Sequence, residues 1–181
     1  MHPKYEIMDS YPLDKLIPIA NWLKTTDLTP YLGDNSKRGW DYQFSGSLYI
    51  PFTRYLERID YRESKEWTEF CNRIFPLINF MRDQISKLRN NEYKPKVAEI
   101  NILPAGGRIL PHTDQASGSD IRERVHLVLH TNSEALFTID GKTKHFPQAC
   151  CFVFDNTLLH DIVNNSKLLD RAHLVVDFEK V

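Results

Sequence analysis

The segment LPHTDQ, residues 110–115, carries two candidate metal ligands, His112 and Asp114, with one residue between them. In an extended chain, residues i and i+2 project to the same side, so an imidazole and a carboxylate stand side by side here. The chain has 7 His and 24 Asp and Glu among 181 residues, so chance alone supplies about one such triplet. A metal site therefore requires a further ligand elsewhere in the chain.

His160 is a candidate for that ligand in the segment FDNTLLHDIV, where it follows an apolar run and a turn. Two histidines and one carboxylate form a ligand set that holds Fe(II) and leaves coordination positions open for a cosubstrate and oxygen. Arg171, eleven residues later, opens the last apolar run. A guanidinium there can form a bidentate pair with a carboxylate bound on the far side of the metal.

The run from residue 122 to 130 reads RERVHLVLH and alternates between two kinds of side chain. Arg122, Arg124, His126 and His130 fall on one face of the predicted strand, and apolar residues dominate the other. Buried cationic side chains are unfavourable without anionic partners. The polar face therefore either borders a water-accessible cavity that holds anions or is a plain solvent-facing surface, and the strand alone leaves both interpretations open.

Two helices are predicted in the first half of the chain. Residues 12–23 have the apolar spacing of a short helix, and residues 64–90 repeat apolar side chains every three or four positions. Ser64 is the expected N-cap of the longer helix, and Pro76 is expected to kink it. Residues 24–47 are loop-like, with Trp40, Tyr42 and Phe44 near a predicted strand. The apolar stripe of the longer helix is typical of a helix packed against a sheet.

From Val97 onward the sequence alternates between short β-rich runs and turn signals. The runs are VAEINIL, GRIL, RVHLVLH, ALFTI, KTKHF, CCFVF, LLHDIV and AHLVVDF. Asp140-Gly141, between two of these runs, is a strong hairpin signal. The number and spacing of the runs predict a mainly β fold, a sandwich or jelly roll, with the helices packed on one outer face.

Length and composition predict one domain over residues 1–181, with a helical and mixed part at 1–96 and a β core at 97–181. The net charge of −1 carries no signature of nucleic acid or of an anionic membrane as a partner. No apolar run approaches the length of a membrane span and no leader pattern opens the chain, so a cytoplasmic protein is expected. Cys71, Cys150 and Cys151 are expected to be free, buried thiols, because adjacent strand residues point to opposite faces.

Four features thus occur in order: an H-x-D triplet, a strand bearing Arg and His, a distal His, and an Arg eleven residues after it. They lie in the segments PAGGRILPHTD, RERVHLVLH, FVFDNTLLHDIVNNS and DRAHLVVDF. This order and these segments resemble the aspartyl/asparaginyl β-hydroxylase family of Fe(II)- and 2-oxoglutarate-dependent oxygenases. The resemblance spans residues 97–178 and implies a double-stranded β-helix, the cupin-like jelly roll.

The resemblance implies that His112, Asp114 and His160 hold Fe(II), with 2-oxoglutarate and O2 as cosubstrates. Animal aspartyl hydroxylases of the family lack the carboxylate ligand. Asp114 therefore makes the chain more similar to the bacterial branch, which hydroxylates free amino acids such as proline. A carboxylate in that coordination position also implies that oxygen is transferred and not halide.

The resemblance also assigns residues to the cosubstrate and to the substrate. Arg171 corresponds to the residue that binds the C5 carboxylate of 2-oxoglutarate, while Arg124 and His126 correspond to positions near its C1 carboxylate and the substrate. Asn101 stands where the family has a hydroxyl that assists 2-oxoglutarate. Substrate contacts are expected from the polar strand face and from an aromatic side chain that closes the pocket, namely from Arg122, His130 and Trp40.

The predicted function is that of a Fe(II)/2-oxoglutarate-dependent dioxygenase. It would hydroxylate an unactivated C–H bond of a small carboxylate-bearing substrate, a free amino acid or a peptidyl Asp, Asn or Pro. Two alternatives stay open: a metal-binding cupin-type isomerase or sensor without oxygenase activity, and a non-catalytic β-sandwich binding module. Arg124 and Arg171 favour the oxygenase, because a cupin without a 2-oxo acid has no need of paired cations there. His145 and His173 are interpreted as structural or surface residues.

Overall fold

The computed structural model describes residues 4–26, 44–45, 48–51, 65–114 and 122–181; of residues 44–45, 48–51, 65–67 and 122 it describes the backbone only. Within these ranges the chain forms two helices and eleven strands. The helices are α1 (Leu13–Thr25) and α2 (Lys65–Arg89). The strands are β1 (Tyr5–Ile7), β2 (Phe44–Ser45), β3 (Leu48–Pro51), β4 (Tyr93–Leu103), β5 (Arg108–His112), β6 (Arg122–His130), β7 (Ala135–Ile139), β8 (Lys142–Lys144), β9 (Cys151–Phe154), β10 (His160–Asn164) and β11 (Arg171–Lys180).

The strands form two antiparallel sheets that enclose one apolar core. The larger sheet has the order β1-β9-β6-β11-β4-β3, and the smaller has the order β2-β5-β10-β7-β8. Side chains from both sheets meet in the inner core, where Val128 and Phe152 of the larger sheet join Phe137 and Ile162 of the smaller. Two facing antiparallel sheets with these crossovers are the predicted jelly roll, and the mainly β fold is confirmed.

A second core lies between the helices and the outer face of the larger sheet. The helix α2 buries a stripe of residues spaced three or four apart, as a helix on a sheet requires; these residues are Phe70, Ile74, Leu77, Ile78, Met81 and Ile85. They meet Val125, Leu127 and Leu129, which alternate along β6. The prediction that the helices pack on one face of the sheets is therefore confirmed.

The alternation of strand side chains separates the two cores. Cys150 belongs to the inner core and the adjacent Cys151 to the helix-covered core, so the two thiols face apart as expected from sequence. Burial raises the pKa of both Cys150 and Cys151. Both thiols are therefore protonated and serve as small apolar side chains.

Two turns show why particular residues occupy them. Asp140 and Gly141 have φ angles of 47° and 73° and join β7 to β8, which confirms the predicted hairpin. Gly106 also has a positive φ, of 72°. A Cβ atom on Gly107 would lie 2.9 Å from both the Cδ1 atom of Leu103 and the carbonyl oxygen of Pro104. The Gly106-Gly107 pair thus serves backbone geometry ahead of β5.

Most predicted elements match the structure within a few residues. The helix α1 spans 13–25 instead of 12–23, and α2, described from residue 65 onward, ends at 89 instead of 90 and continues through Pro76. The strand β1 was not predicted; it pairs with β9, far ahead in the sequence. Ser64, Trp40 and Tyr42 lie outside the described residues. In the part of the chain that the structure describes, no helix combines the length and apolarity needed to cross a bilayer.

Candidate metal centre

His112 and His160 meet across two paired strands of the smaller sheet. His112 ends β5, His160 begins β10, and the two are direct partners in the antiparallel ladder. The next pair is Ile162 with Ile109, so Leu110 and Pro111 form a bulge opposite a single residue of β10. The bulge shifts the alternation by one residue, so that both Ile109 and His112 face the interior. The imidazole centroids of the two histidines lie 4.3 Å apart.

Asp114 lies just beyond the end of β5 and completes a cluster of three metal-binding side chains. One candidate ligand atom from each of His112, Asp114 and His160 lies within 4.8 Å of the others. The Nε2 atom of His112 is 3.7 Å from Oδ1 of Asp114, and Nε2 of His160 is 3.9 Å from its Oδ2. The side chains of His112, Asp114 and His160 are largely buried and expose 10%, 13% and 5% of their surface.

The backbone fixes the same tautomer in both histidines. Nδ1 of His112 donates to the carbonyl oxygen of Leu110 over 2.7 Å, and Nδ1 of His160 donates to that of Leu158 over 2.9 Å. A neutral imidazole that carries its proton on Nδ1 presents a lone pair at Nε2. Burial lowers the pKa of His160, and nearby His112 lowers it further. Both Nε2 atoms are thus directed at the carboxylate, and a metal would bind each through the lone pair of the neutral ring.

The Asp114 carboxylate is held from its other side by Arg124 and Asn156. Nη1 of Arg124 donates to Oδ2 of Asp114, and the Asn156 side-chain amide donates to the same oxygen over 3.4 Å. The backbone N–H of Asp114 donates to the Asn156 carbonyl oxygen over 2.9 Å. Two contacts to one neighbour fix the loop that carries the carboxylate.

Arg124 also forms a bidentate pair with Asp177, its partner residue on β11. Its Nε donates to Oδ1 over 2.7 Å and its Nη2 donates to Oδ2 over 2.9 Å. All three guanidinium nitrogens therefore contact carboxylates of the protein itself. The sequence interpretation placed Arg124 near the C1 carboxylate of 2-oxoglutarate. In the structure, the guanidinium instead forms ion pairs with the carboxylates of Asp114 and Asp177.

Arg171 begins β11 and is almost completely buried, with 2% of its surface exposed. Its Nη1 donates to Oδ1 of Asn101 over 2.9 Å and its Nη2 donates to Nδ1 of His173 over 2.7 Å. A cavity between the sheets adjoins Arg171 and His173 and is otherwise lined largely by apolar side chains. These include Phe137, Phe146 and Ile162, and Thr131 is the other polar residue besides Arg171 and His173.

His126 lies on the inner face of β6, as Arg124 does, and is buried. Its ring stacks on Phe152 with centroids 5.0 Å apart, and its Nδ1 lies 3.5 Å from Nδ1 of His173. Burial, together with the charges of Arg171 and Arg124, lowers the pKa of His126 well below its usual value. Its Nε2 is buried and has no hydrogen-bond partner among the described residues. A neutral imidazole with an unpaired nitrogen is therefore available to a bound group.

The structure corrects the interpretation that His130 shares the polar face with Arg124 and His126. A second bulge, between the pairs Ala172–His130 and His173–Val128, interrupts the alternation near the end of β6. His130 pairs with Ala172, whose side chain belongs to the helix-covered core. Burial lowers the pKa of His130 to about 4, and the first charged group that adds to this effect is Lys24 of α1. His130 is thus directed toward the helices.

The structure therefore brings most of the predicted site residues together and leaves two outside its description. The three candidate ligands, Arg124 and His126 converge around one end of the inner core, and Asn101 contacts Arg171. The Arg122 side chain and Trp40 lie outside the described residues. Asn156 was not predicted from the sequence. The available signal was the preceding Asp155, which forms an Asx turn in which Thr157 donates its N–H to the Asp155 carboxylate over 3.1 Å.

Comparison with known families gives one match over more than half of the chain. The model described as aspartyl/asparaginyl beta-hydroxylase matches residues 54–181. This range includes every candidate ligand and begins well before the motifs that suggested the family from sequence. No curated protein sequence matches the chain.

Solved structures similar to this chain share its fold at low sequence identity. A prolyl-4-hydroxylase from Pseudomonas putida has a TM-score of 0.64 at 14% identity, covering 98% of this chain and 93% of that one. A viral collagen prolyl hydroxylase from Paramecium Bursaria Chlorella virus-1, solved as a 2-oxoglutarate complex, has a TM-score of 0.56 at 14% identity, covering 99% and 97%. EctD from S. alaskensis, solved with bound Fe, has a TM-score of 0.58 at 12% identity, covering 97% and 72%.

Proposed function

The chain belongs to the aspartyl/asparaginyl β-hydroxylase family and is a 2-oxoglutarate-dependent dioxygenase, and from this premise we propose that His112, Asp114 and His160 hold its Fe(II). The observation that carries the proposal is the convergence of two imidazole Nε2 atoms and one carboxylate within 4.8 Å. Two neutral nitrogens and one anionic oxygen match the facial ligand set of non-haem Fe(II) oxygenases. EctD, which shares the fold, was solved with bound Fe.

The hydrogen bonds around the ligands support the same assignment. Metal-bound histidines generally donate their other ring N–H to a carbonyl or carboxylate, which fixes ring orientation and tautomer. The carbonyl oxygens of Leu110 and Leu158 accept such bonds from His112 and His160. When bound, Fe(II) supplies the redox chemistry that couples decarboxylation of 2-oxoglutarate to insertion of one oxygen atom into a C–H bond.

Asp114 is proposed to ligate through one oxygen only. Its Oδ2 accepts hydrogen bonds from Arg124 and Asn156, whereas its Oδ1 faces Nε2 of His112. Arg124 would otherwise reduce the negative charge available to the metal. Asp177, paired with Arg124 through two hydrogen bonds, offsets that effect. The role proposed for Arg124 is thus to orient the carboxylate ligand.

Arg171 and His126 are proposed to bind 2-oxoglutarate. A guanidinium binds a carboxylate through two parallel hydrogen bonds, and burial strengthens such a contact because water does not compete for it. The side chains beside Arg171 are largely apolar, and such side chains would contact the methylene chain of 2-oxoglutarate. The unpartnered Nε2 of His126 would contact the other end of the same molecule. The viral prolyl hydroxylase with this fold was solved as a 2-oxoglutarate complex.

The proposed substrate is a small carboxylate-bearing molecule, a free amino acid or a peptidyl Asp, Asn or Pro. The sequence argument for a second carboxylate counted Arg122, Arg124, His126 and His130 as surplus positive charge. Arg124 is balanced by two carboxylates, and burial keeps both histidines neutral near pH 7. The proposal for the substrate carboxylate therefore depends on Arg122, whereas the two prolyl hydroxylases that share the fold support a prolyl substrate.

The experiment that tests the proposal follows succinate formation by protein loaded anaerobically with Fe(II) and then given 2-oxoglutarate and air. A panel of free amino acids is compared with the same amino acids amidated at the carboxyl group. The expected result is Fe(II)-dependent succinate formation that free acids stimulate and amidated forms do not, with a product heavier by one oxygen atom even in chloride buffer.

Each part of the proposal has its own contrary outcome in this experiment. No Fe(II)-dependent succinate, with or without any substrate, would contradict the proposed site. Equal stimulation by free and amidated acids would show that the substrate carboxylate is not recognised. A chlorinated product would show that Asp114 does not occupy the coordination position assigned to it.

A further inference from the structure

Two side chains on neighbouring strands fix the orientation of the Arg171 guanidinium. Asn101 on β4 and His173 on β11 are direct partners in the antiparallel ladder and face the inner core together with Arg171. Asn101 accepts from Nη1 over 2.9 Å, and His173 accepts from Nη2 over 2.7 Å. With both terminal nitrogens tied to separate strands, the guanidinium plane is not free to rotate about its own stem.

The contact between Arg171 and His173 requires one form of the imidazole. An arginine at neutral pH is always a donor, so the nitrogen that faces it must carry a lone pair. His173 is therefore neutral, with its proton on Nε2. Burial and the charge of Arg171 both lower the pKa of His173 well below its usual value. A histidine in this position acts as a buried acceptor that adds no charge of its own.

We propose that His173 is a positioning residue for the distal carboxylate of the 2-oxo acid: it holds Arg171 in the plane that a dicarboxylic cosubstrate needs, without competing for it. An Asp in the same place would hold Arg171 as well but would neutralise it. An apolar residue would remove one of the two contacts that orient the cation. The inference rests on the proposed function of the site and goes beyond it, since sequence reasoning treated His173 as structural.

A purely structural role makes a different prediction from the positioning role. The His173 ring also packs against Phe152, with centroids 6.0 Å apart, and lies beside His126. If His173 contributed only packing, its replacement would disturb the inner core and weaken the binding of every ligand of the site to the same extent. If His173 positions Arg171, its replacement weakens the binding only of ligands whose second carboxylate reaches Arg171.

The experiment compares two 2-oxo acids by calorimetry on protein loaded with Mn(II), which avoids turnover. 2-Oxoglutarate carries the distal carboxylate, whereas 2-oxobutyrate has the same chelating end and a hydrogen atom in place of the distal carboxylate. The variants are His173→Leu, which removes the acceptor, His173→Asn, whose side-chain oxygen can replace Nδ1, and His173→Asp, which differs from the Asn variant by one negative charge.

The expected affinities distinguish the effect of the hydrogen-bond acceptor at position 173 from the effect of a negative charge there. His173→Leu should bind 2-oxoglutarate about 10-fold or more weakly, the loss typical of a charge-assisted hydrogen bond. His173→Asn should stay within about threefold of the parent protein, and His173→Asp should lose more than His173→Asn, because its carboxylate competes for Arg171. The affinity for 2-oxobutyrate should be the same in all four proteins.

The outcomes distinguish this inference from the proposed function. A parent protein that binds neither acid contradicts the proposed function itself. Parent-like 2-oxoglutarate affinity in His173→Leu, or an equal loss of both acids, overturns the positioning role while leaving the site assignment standing. If His173→Leu does not fold, the pair His173→Asn and His173→Asp decides the question, because equal 2-oxoglutarate affinities in these two variants overturn the inference.

Discussion

At the scale of single residues, the metal centre depends on atoms that only the folded backbone can supply. The carbonyl oxygens of Leu110 and Leu158 set the tautomers of His112 and His160. Each carbonyl lies two residues before its histidine, so the orientation of the ring is built into the local chain. Both histidines therefore present the same ring nitrogen, Nε2, to a metal, although they belong to different strands.

The first prediction is that His112→Ala and His160→Ala are equally damaging. Each variant keeps two of the three ligands, which is too few to retain Fe(II) in competition with water. Both should lose succinate formation and tight Mn(II) binding. His145→Ala is the matched control, because His145 is half-buried just after β8 and contacts the Ala135 carbonyl oxygen outside the cluster. Turnover by His160→Ala at the parent rate would contradict the ligand assignment.

The second prediction concerns Asp177, which does not touch the cluster but balances Arg124. In Asp177→Asn the guanidinium keeps a neutral partner and exerts its full charge on Asp114. The carboxylate should then bind the metal more weakly, and changes to such outer contacts typically cost about 10- to 100-fold in metal affinity. Mn(II) titration followed by electron paramagnetic resonance measures the change.

The control for this prediction is Glu179→Gln, two residues further along the same strand, where the side chain contacts Lys94 and Lys96 at the surface. Its metal affinity should equal that of the parent protein. If Asp177→Asn instead weakens 2-oxoglutarate binding and leaves Mn(II) binding unchanged, Arg124 binds the cosubstrate, as the family resemblance implied.

At the scale of secondary-structure elements, two bulges decide which side chains reach the site. The bulge at Leu110 and Pro111 turns His112 inward, and the bulge near the end of β6 turns His130 outward. Strict alternation along RERVHLVLH correctly predicted that Arg124 and His126 share a face, but it failed at His130. A bulge is a pairing irregularity between two strands, so the sequence of one strand does not reveal it.

The third prediction tests the segment that leads into β11. Asn164, with 1% of its surface exposed, donates its side-chain amide to the carbonyl oxygens of Leu103, Pro104 and Leu169. Asn164→Ala leaves buried carbonyl groups without these donors. The free energy of unfolding should fall by about 1–3 kcal/mol, the usual cost of an unsatisfied buried polar group.

Asn165→Ala is the matched control for this substitution, because Asn165 is exposed and donates to the Glu134 carbonyl oxygen through its backbone N–H. Urea denaturation of the three proteins compares the losses. Equal stability of Asn164→Ala and Asn165→Ala would show that the amide contributes nothing to this junction. The junction precedes Arg171, so a true loss in Asn164→Ala should be accompanied by weaker 2-oxoglutarate binding.

At the scale of the whole molecule, the second half of the chain was predictable and the first half was only partly so. Each β-rich run from Val97 onward overlaps a strand of the structure, because alternation and turn residues are local signals. The strand β1 pairs with β9 and β3 pairs with β4, which local patterns do not indicate. The partners of Arg124 were likewise hidden, since Asp177 becomes its neighbour only when β11 pairs with β6.

The distribution of buried histidines has a consequence for the stability of the whole fold. Burial lowers the pKa of His130 to about 4 and those of His126 and His173 well below their usual value of 6.5. In the unfolded chain a histidine binds a proton near pH 6.5. Between that pH and about 4, the unfolded chain therefore carries a proton on His130 that the folded protein does not. Stability must fall as the pH falls through this window, because protons favour the state that binds more of them.

The fourth prediction is that His130→Gln flattens this dependence. A single histidine of this kind contributes up to about 1.4 kcal/mol per pH unit to the slope of unfolding free energy against pH. The variant should lose that share of the slope between pH 6.5 and about 4, whereas His126 and His173 retain theirs. Urea denaturation at pH 7.5, 6.5, 5.5 and 4.5, values spaced about one pH unit apart across the window, measures it. Val128→Ala, which removes apolar contacts from the same strand and no titratable group, should lower stability equally at every pH. A slope in His130→Gln as steep as that of the parent protein would show that His130 binds its proton equally well in the folded and unfolded chains.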